Sequence, residues 1–161
     1  MNELELREAI ENLEVQIDQG MLTCRHLKSS DWDTLKSWWR EWPEWKSPPA
    51  RDFLPDNGKG GLMIEKDGLP IVAGFLYQTN SKGILLEWII SNPKYREDDR
   101  GEAVEMLIIE AEKYSKELGF LYMFTIGRQK NLIDKHKKLG WSVDEKPSHE
   151  ITKVITSNIK K

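Results

Sequence analysis

Apolar residues fall along this chain in two ways, as stripes at helical spacing and as short runs bounded by turn residues. Residues 1–19 place Leu6, Ile10, Leu13 and Ile17 on one face among Glu-rich positions, predicting an amphipathic helix that ends near Gly20. That stripe has to bury against this domain or against a second copy, as a homodimer contact. Leu22–Leu27 alternates and predicts a strand. Ser29, Ser30 and Asp31 are N-cap candidates for a helix from Trp32 to about Glu41. Residues 46–60, with Pro48, Pro49, Pro55, Gly58, Gly60 and Gly61 nearby, predict a long irregular loop holding the apolar pair Phe53-Leu54.

From Gly61 the pattern is that of a sheet. Leu62–Glu65 and Ile71–Gln78 flank Lys66-Asp67-Gly68, which predicts a hairpin. The run Ile84–Ile90 (ILLEWII) carries one charge, Glu87, between Gly83 and Pro93, and reads as a strand buried on both faces. Ala103, Leu107, Ala111, Tyr114 and Leu118 share one face of a helix over residues 103–118. Leu121–Ile126 follows as a second buried strand, so strand, helix and strand form a βαβ unit with parallel neighbours. A short helix is expected near Lys130–Leu139. Trp141–Asp144 and Ile151–Ile155, around Pro147, predict a closing antiparallel hairpin. The fold class is α/β (α+β): a mixed, mostly antiparallel sheet with a central parallel βαβ unit and flanking helices. Residues 1–20 are read as an N-terminal helix and 21–161 as the domain.

Composition narrows the function classes. With 161 residues, 39% apolar and 32% charged, the chain is that of a globular domain with a sizeable core. No run is long and apolar enough to span a membrane, and the acidic N-terminus lacks the apolar core of a secretion signal. The single cysteine, Cys24, fits a reducing compartment, so a cytoplasmic location is expected. One Cys and three scattered His assemble no convincing metal site. The net charge of −3 argues against a broad nucleic-acid-binding face.

Of the seven tryptophans, Trp32, Trp38, Trp39, Trp42 and Trp45 crowd into one helix and its exit. Most of them are expected in the core. One helix face does not bury all five, so Trp42 and Trp45, flanking Pro43, are candidates to line a pocket with Phe53 from the long loop.

In order and spacing these pieces resemble the GNAT superfamily of N-acetyltransferases over residues 22–156. LTCRHLKSSDW at 22–32 is similar to its opening strand and capped helix, and LLEWIISNP at 85–93 to its fourth strand with a polar-Pro break. KELGF at 116–120 is similar to the end of its third helix, and NLIDKHKKLGW at 131–141 to its closing helix. The general look is close to small acetyltransferase-like proteins of bacteriophages. The resemblance implies that acetyl-CoA lies between the fourth and fifth strands, its pyrophosphate on a Q/R-x-x-G-x-G/A loop. Small residues are needed there so that the backbone reaches the phosphates.

Here Arg96 to Glu105 supplies that loop. Gly101 and Ala103 satisfy the end of the motif with Asp98 at its start, while a start at Arg100 sets Ala103 and Glu105 at the small positions. The cofactor-binding residues implied are Ile89, Ile90 and Ser91 through their backbone, then Arg96, Arg100, Gly101, Ala103 and Asn131. Glu87 corresponds to a position where many members carry a catalytic carboxylate, and burial in an apolar strand should raise its pKa toward base work. The family's acid is a Tyr four residues before the closing Gly; here His136 stands before Gly140. The expected activity is acetyl transfer to a primary amine, on a small molecule or a peptide. The alternative is a catalytically degenerate GNAT-fold binding protein acting as a phage or host factor.

Overall fold

The structure is a computed structural model, and residues 2–8, 20–45 and 47–155 are described. Residues 3–8 are helical; Ile10, Leu13 and Ile17 of the predicted stripe lie outside the described residues. Strands β1 (Leu22–His26), β2 (Gly61–Lys66), β3 (Leu69–Gln78), β4 (Gly83–Ser91) and β5 (Tyr122–Phe124) form one sheet in sequence order. The first four pair antiparallel, and β5 lies parallel to β4. Helices α1 (Trp32–Glu41), α2 (Arg100–Glu117) and α3 (Lys130–Lys138) complete it. This is the α+β architecture expected, with one parallel pair.

The two sheet faces carry separate cores. On one, α2 buries Ala103, Leu107, Ile108 and Ala111 against Leu62, Ile64, Val72, Ile84 and Leu86. On the other, α1 sets Leu35, Trp38 and Trp39 on Met63, Ala73, Phe75 and Ile90. Trp39 stacks on Phe75 with ring centroids 6.2 Å apart. Between β2 and β3, Asp67 and Gly68 both take positive φ (52° and 79°), as a type I′ hairpin demands. α1 starts at Trp32 with Asp31, one of the N-cap candidates, at its N-cap position, although the Asp31 side chain makes no cap bond into the helix. Asp31 is buried; its carboxylate accepts Lys28 N–H at 2.8 Å and pairs with both Arg25 terminal nitrogens at 2.8 and 2.9 Å.

Two expectations fail. Residues 141–155 form no strand, so the closing hairpin is absent from the described residues. Ile151, Val154 and Ile155 are 93%, 84% and 85% exposed, and nothing pairs with them there. In consequence β5 is no buried strand: it is three residues long, with Tyr122 and Phe124 70% and 60% exposed. Without a following strand among the described residues, its apolar residues have no second sheet neighbour there.

Candidate functional site

β4 breaks its own alternation. Phe75 of β3 faces Glu87 and Ala73 faces Ile90, so two steps on β3 oppose three on β4. The extra residue makes a bulge at Trp88, whose φ is +58°, a left-handed value that bulky side chains avoid. Leu86 and Ile89 face the α2 core, whereas Trp88 and Ile90 face the α1 side. The bulge explains why ILLEWII shows no two-residue period.

The same place ends the pairing with β5. The parallel register runs only from Gly83–Tyr122 to Leu85–Phe124. Two residues on, Glu87 replaces a backbone acceptor: its Oε1 accepts Ile126 N–H at 2.9 Å. The strands therefore part beyond Leu85, with a carboxylate at the fork. Burial pushes the Glu87 carboxyl up from its ordinary value, opposed by the Ile126 hydrogen bond and the charge of Arg128.

Past the fork, β4 ends at a cationic cluster. Arg96 and Arg100 hold their guanidinium carbons 5.4 and 5.0 Å from the centre of the Trp42 ring. Arg100 Nη2 donates to Ser91 Oγ at 2.8 Å, and Trp42 Nε1 donates to Ser91 O at 2.7 Å. Burial, then the like charge of Arg96, lowers the Arg100 pKa. Gly101 is the second residue of α2, and a Cβ built on it would lie 3.7 Å from Lys135 Nζ of α3. Two guanidiniums and an ammonium thus gather at a helix N-terminus. One member of the acidic run is neutralised: Asp99 takes Lys66 Nζ at 2.8 Å and the Tyr95 hydroxyl, and Lys66 first among these holds its pKa low.

The remaining candidates distribute unevenly. Ser91, Arg96, Arg100 and Gly101 come together. Ala103 is fully buried in the α2 core, where its small size serves packing. The side chains of Ile89 and Ile90 belong to opposite cores. Asn131 is exposed in the first turn of α3, one turn from Lys135. Trp45 and Phe53 meet around Trp88, at centroid distances of 5.6 and 6.1 Å. Trp42 stands with the arginines instead of with them.

His136 is 3% exposed in α3, edge-on to Trp141 at 4.7 Å. Its Nδ1 lies 2.8 Å from Leu132 O, and a carbonyl only accepts, so Nδ1 carries the proton. Nε2 is buried without a partner among the described residues. Burial lowers the pKa, partly offset by the Leu132 bond, so the ring is held neutral with a lone pair at Nε2. In that state it accepts a proton and has none to give there.

Reasoning from sequence missed Trp88, Arg128 and Lys135. The missing alternation in ILLEWII was the one signal for Trp88; nothing marked the two cations. Away from the fork, a cavity of about 210 Å³ lies between β1 and the later half of α2, lined by Cys24, His26, Tyr114 and neighbours. Burial pushes the Cys24 thiol up to about 11, so no thiolate forms there near neutrality. It touches none of the candidate residues.

Compared with known proteins, the chain matches no family model and no curated protein by sequence. Solved structures do share its fold. N-acetylglutamate synthase from Neisseria gonorrhoeae, complexed with coenzyme A and L-arginine, aligns at TM-score 0.61 and 14% identity over 79% of this chain. The chain spans only 29% of that protein's length. An alanine N-acetyltransferase of a ribosomal protein from Escherichia coli aligns at 0.59 and 17% identity, over 74% of this chain and 77% of that one. An aminoglycoside N-acetyltransferase in complex with CoA gives 0.54 and 18% over 84% and 97%. The fold is that of the GNAT acetyltransferases. These neighbours do not bear on a phage origin. Among the described residues no helix is long and apolar enough to cross a membrane.

Proposed function

We propose that this GNAT-fold chain is an acetyl-CoA-dependent N-acetyltransferase acting on a primary amine. One observation carries the reading: the fork where β4 leaves β5 has a carboxylate of raised pKa at its apex and a cationic cluster at its mouth. Two neighbours of the same fold, the N-acetylglutamate synthase and an aminoglycoside N-acetyltransferase, were crystallised with coenzyme A.

The residues present fit the group. Arg96, Arg100 and Lys135, with the first N–H groups of α2, suit phosphate oxygens in charge and donor chemistry. When bound, acetyl-CoA supplies an acyl carbon activated as a thioester. Glu87 takes the proton that the acceptor's ammonium must lose before its nitrogen is nucleophilic, and its raised pKa suits that task. The nitrogen then forms the new C–N bond and the C–S bond breaks. The nitrogen's second proton balances the thiol that leaves. The hydrogen bond from Ile126 fixes one Glu87 oxygen and leaves the other for the amine. Neutral His136 is a proton acceptor at Nε2, so the acid role is not assigned to it. Such a protein would work in the cytoplasm, where Cys24 stays reduced.

A second reading, a GNAT-fold binding protein without turnover, is favoured by the hold that Trp42 and Arg100 have on Ser91. Isothermal titration of acetyl-CoA into wild type and Gly101→Glu decides between them. The space around Gly101 admits a side chain, so the variant should fold while placing a carboxylate against Lys135. Micromolar binding that the variant loses supports transfer. A flat wild-type titration would leave the binding protein.

A further inference from the structure

Trp88 occupies a backbone conformation that glycine would adopt freely, so its side chain has to be accounted for by something other than local geometry. The bulge puts it next to Glu87, at the apex of the fork. Its indole N–H is spent on the Tyr77 hydroxyl at 2.9 Å, and that hydroxyl donates onward to Phe53 O at 2.9 Å. Both bonds lock the ring, which is half-buried between sheet and solvent.

Around it the aromatic rings form a shelf. Trp45 lies tilted by 38° on one side and Phe53 stands edge-on at 87° on the other. Phe53 is 55% exposed, and Trp45 and Trp88 are half-buried. Trp38 and Trp39, by contrast, are buried and hold α1 to the sheet. The Arg128 guanidinium sits 5.7 Å from the Trp45 ring centre, so this surface already holds a cation. Arg128 contacts Glu150, and no cation lies within ion-pair distance of Glu87 among the described residues, although the charge of Arg128 still acts on it. Beside an aromatic surface there is thus a carboxylate without a direct ion pair, one of its oxygens held by Ile126 N–H.

We infer that the acceptor is an aryl-bearing amine, its ring against Trp88 and Phe53 and its ammonium directed to Glu87. This rests on the acetyl-transfer reading for turnover only; the binding half stands on the shelf itself. A plain alkylamine gains the ion pair alone. An arylalkylamine adds ring stacking, an advantage of about tenfold beyond the area it buries.

The test is titration of phenethylamine, cyclohexylethylamine and n-butylamine into the full chain, followed by the indole N–H resonances, with and without acetyl-CoA. Phenethylamine should bind about tenfold more tightly than n-butylamine and more tightly than cyclohexylethylamine, shifting the Trp88 signal. Trp88→Gly keeps the left-handed backbone and should erase the preference. Phe53→Ala, at an exposed position, should reduce it without a folding penalty, and Glu87→Gln should weaken all three amines alike. Equal affinity for the three amines, no amine binding in either condition, or a preference that survives both aromatic variants would overturn the inference. Aryl preference without acetyl-CoA binding would remove acetyl transfer and leave this proposal standing; acetyl-CoA binding without aryl preference would do the reverse.

Discussion

Two titratable candidates, Glu87 and His136, have pKa values displaced in opposite directions. Glu87 is raised by burial, so the folded chain holds its proton more tightly than the unfolded chain does. Its contribution to stability is fully present below the ordinary carboxylate pKa and is lost as pH rises through the raised value. Glu87→Gln keeps an acceptor for Ile126 N–H and removes that pH dependence. Its melting temperature should exceed wild type at about pH 7.5 and approach it at about pH 4. Its kcat should fall by about 100-fold or more, as for loss of a general base. A variant with wild-type kcat would remove the base role. His136 has the opposite sign. Its pKa is lowered, so the unfolded chain binds the extra proton more readily, and stability drops as pH falls through the ordinary histidine value of 6.5. Thermal scans from about pH 7.5 to about pH 5 should show that loss in wild type and a flatter profile in His136→Leu.

Among the elements, backbone proximity governs more than side-chain character does. A Cβ at Gly61 of β2 would come 2.1 Å from the Gly74 carbonyl oxygen of β3. A backbone atom has no rotamer to escape into. Gly61→Ala should therefore force the strands apart and cost about 1–3 kcal/mol or more, read as a lower urea midpoint. Gly101→Ala, with only ordinary contacts near its Cβ, should leave the midpoint unchanged. The elements themselves were largely legible. Trp32, Leu35 and Trp39 at helical spacing, the Asp67-Gly68 turn and the α2 stripe through Leu107 and Ala111 each encode a local geometry. Less legible was whatever depends on two distant segments. The bulge at Trp88 is defined only against β3, and β5 has no strand beyond it among the described residues. Ile151, Val154 and Ile155 look like a strand by composition, yet pairing needs a partner that the local pattern does not specify. In the site, Glu87 and the Ser91-to-Gly101 stretch were legible because they follow one another along β4 into α2. Lys135 and Arg128 arrive from elsewhere in the chain and carried no local mark.

At the scale of the whole molecule, charge sets a contest that experiment can read. The chain carries 27 acidic and 24 basic residues, a net charge of −3, so a polyphosphate approaches a body of its own sign. Arg96, Arg100 and Lys135 oppose that field only nearby, since at about 0.1 M salt the screening length is about 10 Å. If the cluster is the phosphate site, the local attraction exceeds the distant repulsion, and salt screens the larger of the two. Raising NaCl from about 50 to about 500 mM should then weaken acetyl-CoA binding several-fold. Replacing Arg96 and Lys135 by Gln should flatten that dependence while leaving the Arg100 bond to Ser91 and the Trp42 bond to Ser91 intact. Affinity that rises with salt would mean that net repulsion dominates, and the arginines on Trp42 would then be parts of the scaffold that holds β4 to α1.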